Sequence, residues 1–97
     1  GALNVSQRRW LELFKAVASR EAARMAQMAE MLLVEKSDLP PDHRQYLLAA
    51  GLAGYVALGK RAEAAAMLAR HNNDFREDNL GLRLLKAHAG PIGNHGK

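Results

Sequence analysis

Gly51-Leu-Ala-Gly-Tyr55-Val-Ala-Leu-Gly59-Lys-Arg-Ala-Glu63-Ala-Ala-Ala-Met-Leu68 decides the fold class. It reads as a helix rich in small residues, a glycine stop, and a second, alanine-rich helix that folds back. Gly59 suits the left-handed residue that ends a helix. Gly51 and Gly54 each cost about 1 kcal/mol of helix propensity relative to alanine, so they are expected where a neighbouring helix comes close. The first of these helices is apolar around much of its circumference, which predicts burial from two sides or an interaction surface.

Working outward, the helix containing Gly51 begins near Pro41. Ser37-Asp-Leu-Pro-Pro41 is the strongest punctuation in the chain. A residue before proline avoids helical geometry, whereas Pro41 suits the first helical turn. Helix three is therefore expected over about Pro41–Leu58. Leu47, Leu48, Gly51, Gly54, Tyr55 and Leu58 share one face, and Tyr46, Ala49, Ala53 and Val56 the other. Helix four is expected from about Lys60 to His71, packing through Ala62, Ala65, Leu68 and Ala69.

Upstream, Asn4-Val-Ser-Gln7 has the form of a capping box. Trp10, Leu13, Phe14 and Val17 follow at helical spacing, so Trp10 and Phe14 are read as core anchors of helix one. Arg8, Glu12, Lys15 and Ser19 fall on its outer side. Ser19-Arg-Glu21 predicts a tight break in which Ser19 caps helix two. Ala22, Met25, Ala26, Ala29, Leu32 and Leu33 form the inner stripe of that helix, which is expected to end near Glu35 or Lys36. Met28 and Met31 lie off the stripe, with Met31 the more exposed. Downstream, Asn72-Asn-Asp74 reads as a loop. Asp74–Glu77 is a candidate capping box and Asp78 a competing cap. Helix five is expected to stop near Ala89, before Gly90-Pro91. Residues 1–89 thus read as one domain and 90–97 as a flexible tail.

The composition narrows the function classes. The chain has 97 residues, 48% of them hydrophobic but only 5% aromatic, and no cysteine. Without cysteine there is neither a disulfide framework nor a thiolate metal site, and a cytoplasmic setting is the expectation. No apolar run reaches the roughly 20 residues of a membrane helix. The N-terminus lacks the basic-then-apolar layout of a signal peptide. Gly1 has no methionine before it, so it is expected to be either a residue added at the start or the beginning of a piece cut from a larger protein. Net charge is +4, with six Lys/Arg against five Asp/Glu in residues 1–40 and eight against five in 41–97.

Reaction chemistry finds no motif. His43, His71, His88 and His95 include no pair spaced for a metal, and no HExxH, P-loop, dinucleotide or nucleophile-elbow pattern occurs. Glu77 and Asp78 are sequence neighbours, which point apart on a helix. The reading is therefore not an enzyme, with no catalytic residue, cofactor or metal. Arg8-Arg9, Lys60-Arg61, Arg70, Arg76, Arg83 and Lys86 could line a nucleic-acid face, but acids interrupt every cluster and few base-reading side chains stand beside them.

The breaks at Pro41 and near Asp74 lie about 34 residues apart, the tetratricopeptide period. Tyr55 four before Gly59, then Glu63-Ala64 and Leu68, resemble that family's turn and second helix in "GYVALGKRAEAAAMLAR". Helices one and two are similar to a degenerate copy, and helix five to a capping or incomplete third unit. The resemblance spans residues 8–89 and is strongest over Tyr46–Arg70. Leu52 replaces a small residue, Arg61 an aromatic, and no proline closes the repeat near Arg76. The resemblance implies an all-α fold of about five helices, as antiparallel hairpins in a right-handed stack. It also implies a peptide- or protein-binding groove lined by the first helix of each pair. Carried over, the groove residues are Arg8, Leu11 and Lys15 with Tyr46, Ala49, Ala53 and Val56. The family's asparagine-plus-lysine carboxylate clamp has no counterpart. A scaffold or docking module follows, with Arg8 and Lys15 favouring an acidic ligand. The alternatives are a homodimerisation domain with no other ligand and a nucleic-acid-binding domain.

Overall fold

The computed structural model describes residues 4–35 and 38–94, with side chains through His88. The fold is all-α. In chain order the helices are α1 (Val5–Ser19), α2 (Ala22–Glu35), α3 (Pro41–Ala57), α4 (Arg61–Arg70) and α5 (Leu80–Asn94). There is no strand among the described residues. The central element is α3, which packs against α2, α4 and α5, while α1 packs on α2.

Local chemistry sets the helix ends. The Asn4 side chain accepts from the Gln7 N–H at 2.8 Å, and the Gln7 side chain accepts from the Asn4 N–H at 3.0 Å, completing the capping box. At the other end of α1, Arg20 takes the left-handed conformation (φ 57°). Its N–H reaches the Val17 carbonyl and the Glu21 N–H the Ala16 carbonyl, a Schellman closure. Ser19 is thus the last residue of α1 and does not cap α2. The same closure recurs after α3: Gly59 has φ +72°, its N–H bonds the Val56 carbonyl, and the Lys60 N–H bonds the Tyr55 carbonyl. Glycine carries that geometry without steric cost, whereas Arg20 bears the strain of a Cβ. Pro41 opens α3 at its first position.

The core is aliphatic. Leu13, Leu32, Leu47, Leu48, Leu52 and Met67 are completely buried. Each stabilises the fold by about 1.5–3 kcal/mol relative to exposure. Small residues let the helices close in. A methyl group on Gly54 would lie 2.6 Å from the Ala22 carbonyl oxygen, so α2 and α3 meet nearly backbone to backbone there. At Gly51 the space is filled instead by the end of the Met67 side chain from α4. Both glycines therefore sit at the expected close approaches.

Several expectations need correction. The inner side of α4 is Ala64 and Met67, both fully buried, while Ala62, Ala65 and Ala69 are exposed and Leu68 is half-buried. Alanine occupies so many positions of α4 that its own pattern leaves the buried face undefined. Neither Asp74 nor Asp78 caps α5. Asn79 does, its Oδ1 accepting from the Leu82 N–H at 3.1 Å. Helix α5 continues through Gly90-Pro91 to Asn94. Proline disfavours a helical predecessor partly through that residue's Cβ, which Gly90 lacks. Residues 95–97, the end of the expected tail, lie outside the described residues. Met31 is half-buried, its sulfur 3.1 Å from Nη1 of Arg9.

Two polar clusters tie the helices together. Glu30 of α2 accepts from the Tyr55 hydroxyl at 3.0 Å and pairs with Arg70 of α4. Gln45 of α3 organises the connection before α5. Its Oε1 accepts from the Arg76 N–H at 3.1 Å and from Asn79 Nδ2 at 2.8 Å, and its carbonyl also accepts from Asn79 Nδ2.

Candidate docking site

A cleft of about 620 Å³ lies between α1 and α3, lined by Gln7, Trp10, Leu11, Phe14, His43 and Tyr46. Helical spacing explains the α1 wall. Gln7, Leu11 and Phe14 recur three or four residues apart, and Trp10 sits beside them toward α3. On α3, His43 and Tyr46 are three apart and project to the same side.

The four rings form one cluster. Trp10 lies 5.6 Å from Phe14, 5.6 Å edge-on from His43 and 6.1 Å from Tyr46, and Phe14 is 5.9 Å from Tyr46. Such spacings fall in the favourable range for aromatic pairs. The cluster faces outward: Phe14 is 48% exposed, Leu11 45% and Tyr46 37%. Phe14 is therefore not a core anchor, whereas Trp10, half-buried, also packs against the aliphatic core. Leu13 and Ala16 occupy the core side of α1 instead. The apolar stripe of α1 is wide enough to serve two purposes, with one edge in the core and the other open. Burial raises the Tyr46 phenol above its ordinary value of 10.0, so the hydroxyl stays protonated at neutral pH.

Tyr46 is also a wall of two smaller clefts on its other side. One is formed with Val17, Met25, Ala49, Ala50, Ala53, Leu80, Gly81 and Leu84. The other includes Gln45, Ala49, Asp42, Arg76 and Asp78. Leu80 is 73% exposed and Leu84 39%. One apolar face thus runs from α1 across α3 to the first turns of α5, with Tyr46 as its dividing ridge. Contiguous exposed apolar surface of this kind is uncommon on a monomer and marks interaction sites.

The structure distributes the groove residues suggested by resemblance unevenly. Leu11 and Tyr46 line the main cleft. Ala49 and Ala53 form the floor of the cleft toward α5. Val56 is half-buried further along α3 and lines none of these clefts. Arg8 and Lys15 are exposed on α1, three residues before and four after Leu11, on its outer side. Sequence reasoning missed Phe14, Trp10, His43, Leu80 and Leu84. The signal was available for Leu80 and Leu84, because the leucines of α5 spread beyond one face. For Trp10 and Phe14 it was not, since an apolar stripe does not say which of its edges is covered.

No three His, Asp or Glu side chains converge on a metal-sized site among the described residues, and no described helix is long and apolar enough to cross a membrane. Compared with family models, curated proteins and solved structures, the chain finds no match.

Proposed function

We propose that this chain is a non-catalytic docking module that receives a protein or peptide segment on the apolar face spanning α1, α3 and α5. The observation that carries the reading is the outward-facing cluster of Trp10, Phe14, Tyr46 and His43 beside exposed Leu11. Aromatic side chains offer large, stiff contact area, and interfaces are enriched in them. A tetratricopeptide-like pairing of α1 with α2 and α3 with α4 belongs to this proposal. It is supported by the left-handed glycine closure at Gly59 between α3 and α4. Attachment to a larger, cytoplasmic scaffold belongs to the same reading.

The runner-up is a homodimer that buries this face against its own copy, the commonest oligomeric solution for such a surface. Nucleic-acid binding is the weaker alternative. Arg9, Arg70 and Arg76, three of the eight residues of the candidate basic face, are engaged by Glu35, Glu30 and Asp42, which interrupts that face as a phosphate-binding surface.

Trp10 is the sole tryptophan, so its emission reports on the cleft. Nile red, a neutral apolar dye, is expected to bind the wild-type protein with energy transfer from Trp10, and to bind Phe14→Glu about tenfold more weakly or not at all. Equal dye binding by a folded Phe14→Glu protein would move the site elsewhere. Light scattering that finds a dimer, dispersed by the same substitution, would favour self-association.

A further inference from the structure

We infer that the segment received by this face is an acidic amphipathic helix, an inference that rests on the docking reading above. Two independent features of the face lead to it.

The first is the distribution of unmatched cations. Arg9, Arg24, Arg70 and Arg76 each have a carboxylate within 3.4 Å. Arg8, Lys15 and Arg20 on and after α1, and Arg83 on α5, have no carboxylate partner among the described residues. Arg8 and Lys15 flank Leu11 along one edge of the groove, and Arg83 lies one turn after Leu80 along the other. Of the remaining unmatched cations, Lys60 and Arg61 sit at the turn into α4. Lys86 is rotated about 120° from Leu80 around α5. The groove thus has an apolar floor and cationic long edges. The nearby acids are Glu12, beside Arg8 and Lys15 on α1 but engaged by Arg24, and, at the loop end, Asp42, engaged by Arg76, and exposed Asp78. A partner with carboxylates on either side of an apolar stripe complements this pattern. A second copy of the chain does not: a two-fold pairing of this face would set cationic edges carrying Arg8, Lys15 and Arg83 against one another.

The second feature is the backbone. The long walls of the groove are helices, so among the described residues no strand edge offers N–H or C=O groups to a bound chain. An extended peptide would place most of its own backbone groups against apolar side chains, with only Gln7, His43 and the Tyr46 hydroxyl in the main cleft to meet them. A helix satisfies them internally and presents its stripe through side chains alone.

The test uses three synthetic, tryptophan-free peptides with one shared stripe, Leu and Phe at i, i+3, i+4 and i+7. The flanks are glutamate in the first and lysine in the second. The third repeats the glutamate peptide with a central proline. Binding is read from Trp10 emission at low salt. The glutamate peptide is expected to bind at least about tenfold tighter than the lysine peptide, and the preference to shrink as salt is raised. The double variant Arg8→Glu/Lys15→Glu alters two exposed, unpaired side chains; shown to be folded by circular dichroism, it should reverse the preference. The proline peptide should bind about tenfold more weakly than its parent. Equal affinity for glutamate and lysine flanks would overturn the acidic assignment, and equal affinity for the proline peptide the helical one. If no peptide binds while Nile red still enters the cleft, the inference falls and the cleft remains a binding site. Failure of the dye as well would remove the docking reading itself.

Discussion

Gly81 of α5 lies against Ala49 of α3 so closely that a methyl group on Gly81 would sit 2.6 Å from the Ala49 Cα and 2.7 Å from its carbonyl oxygen. This approach fixes the distance of α5 from α3. It also sets Leu80 and Leu84 beside Tyr46 and Ala53 along the apolar face. The neighbour is backbone, which cannot rotate aside.

Gly81→Ala is therefore expected to destabilise the protein by about 2 kcal/mol despite the better helix propensity of alanine. Gly54→Ala should behave alike, because the Ala22 carbonyl oxygen blocks its methyl at 2.6 Å. Gly51→Ala should stay within about 1 kcal/mol of the parent, because its methyl meets the flexible end of Met67, which can swing away. Urea midpoints for the three variants check the ranking. A Gly51→Ala loss as large as that of Gly54→Ala would show that Met67 has no alternative rotamer.

Leu13 and Phe14 are adjacent in sequence and opposite in role. Leu13→Ala should cost about 3 kcal/mol through loss of a fully buried side chain. Phe14→Ala should cost only about 1 kcal/mol, the value of its ring contacts with Trp10 and Tyr46. The same two proteins should rank the other way in dye binding, where Phe14→Ala is the damaging change. Denaturation and dye titration on one preparation test both halves.

Asn79 is 5% exposed, and its amide is divided between the α5 cap and Gln45. Asn79→Ala should lose about 2 kcal/mol, combining a helix cap with a stranded partner. Gln45→Ala releases the Asn79 and Arg76 bonds together. In a double-mutant cycle the two residues should couple by about 1 kcal/mol or more, and additive losses would disprove the shared network.

Burial, followed by its hydrogen bond to Glu30, raises the Tyr55 phenol above the ordinary 10.0. The sign follows from proton binding. Between 10.0 and the higher folded value, the unfolded chain has lost a proton that the native state keeps, so stability falls as pH rises. Below that window the contribution is fully present. Tyr46 is raised as well, by burial alone, and adds to the same loss. Chemical denaturation from pH 8 to 11 (about the range around a tyrosine's ionisation) should show a steeper alkaline decline for the wild type than for Tyr55→Phe. At neutral pH Tyr55→Phe should be about 1 kcal/mol less stable, reflecting the lost bond to Glu30.

The all-α class, the capping box at Asn4, the proline start at Pro41, the glycine stop at Gly59 and the close approaches at Gly51 and Gly54 were legible in the sequence. Each depends on backbone geometry that only a few residue types favour, within one or two helical turns. Arg20 escaped this logic, because an arginine in the left-handed conformation is held there by the Schellman bonds rather than chosen by propensity. The cap at Asn79 was hidden for a related reason: Asp74, Asp78 and Asn79 are all competent, and Gln45, distant in sequence, selects among them.

The rest belonged to the tertiary structure. An apolar stripe records that a side chain is oily, and neither its covered edge nor its open one is written in the pattern. In α1, packing against α2 took Leu13 and Ala16 and left Leu11 and Phe14 outside. In α4, alanine on every side left the choice of Ala64 and Met67 to the neighbouring helices. The sequence alone determined the starts of α1 and α3 and the stop after α3, because those are local steric and hydrogen-bonding questions. Only the arrangement of α1, α3 and α5 decided that Trp10, Phe14, His43 and Tyr46 gather on one open face, because burial is a property of what stands beside a side chain.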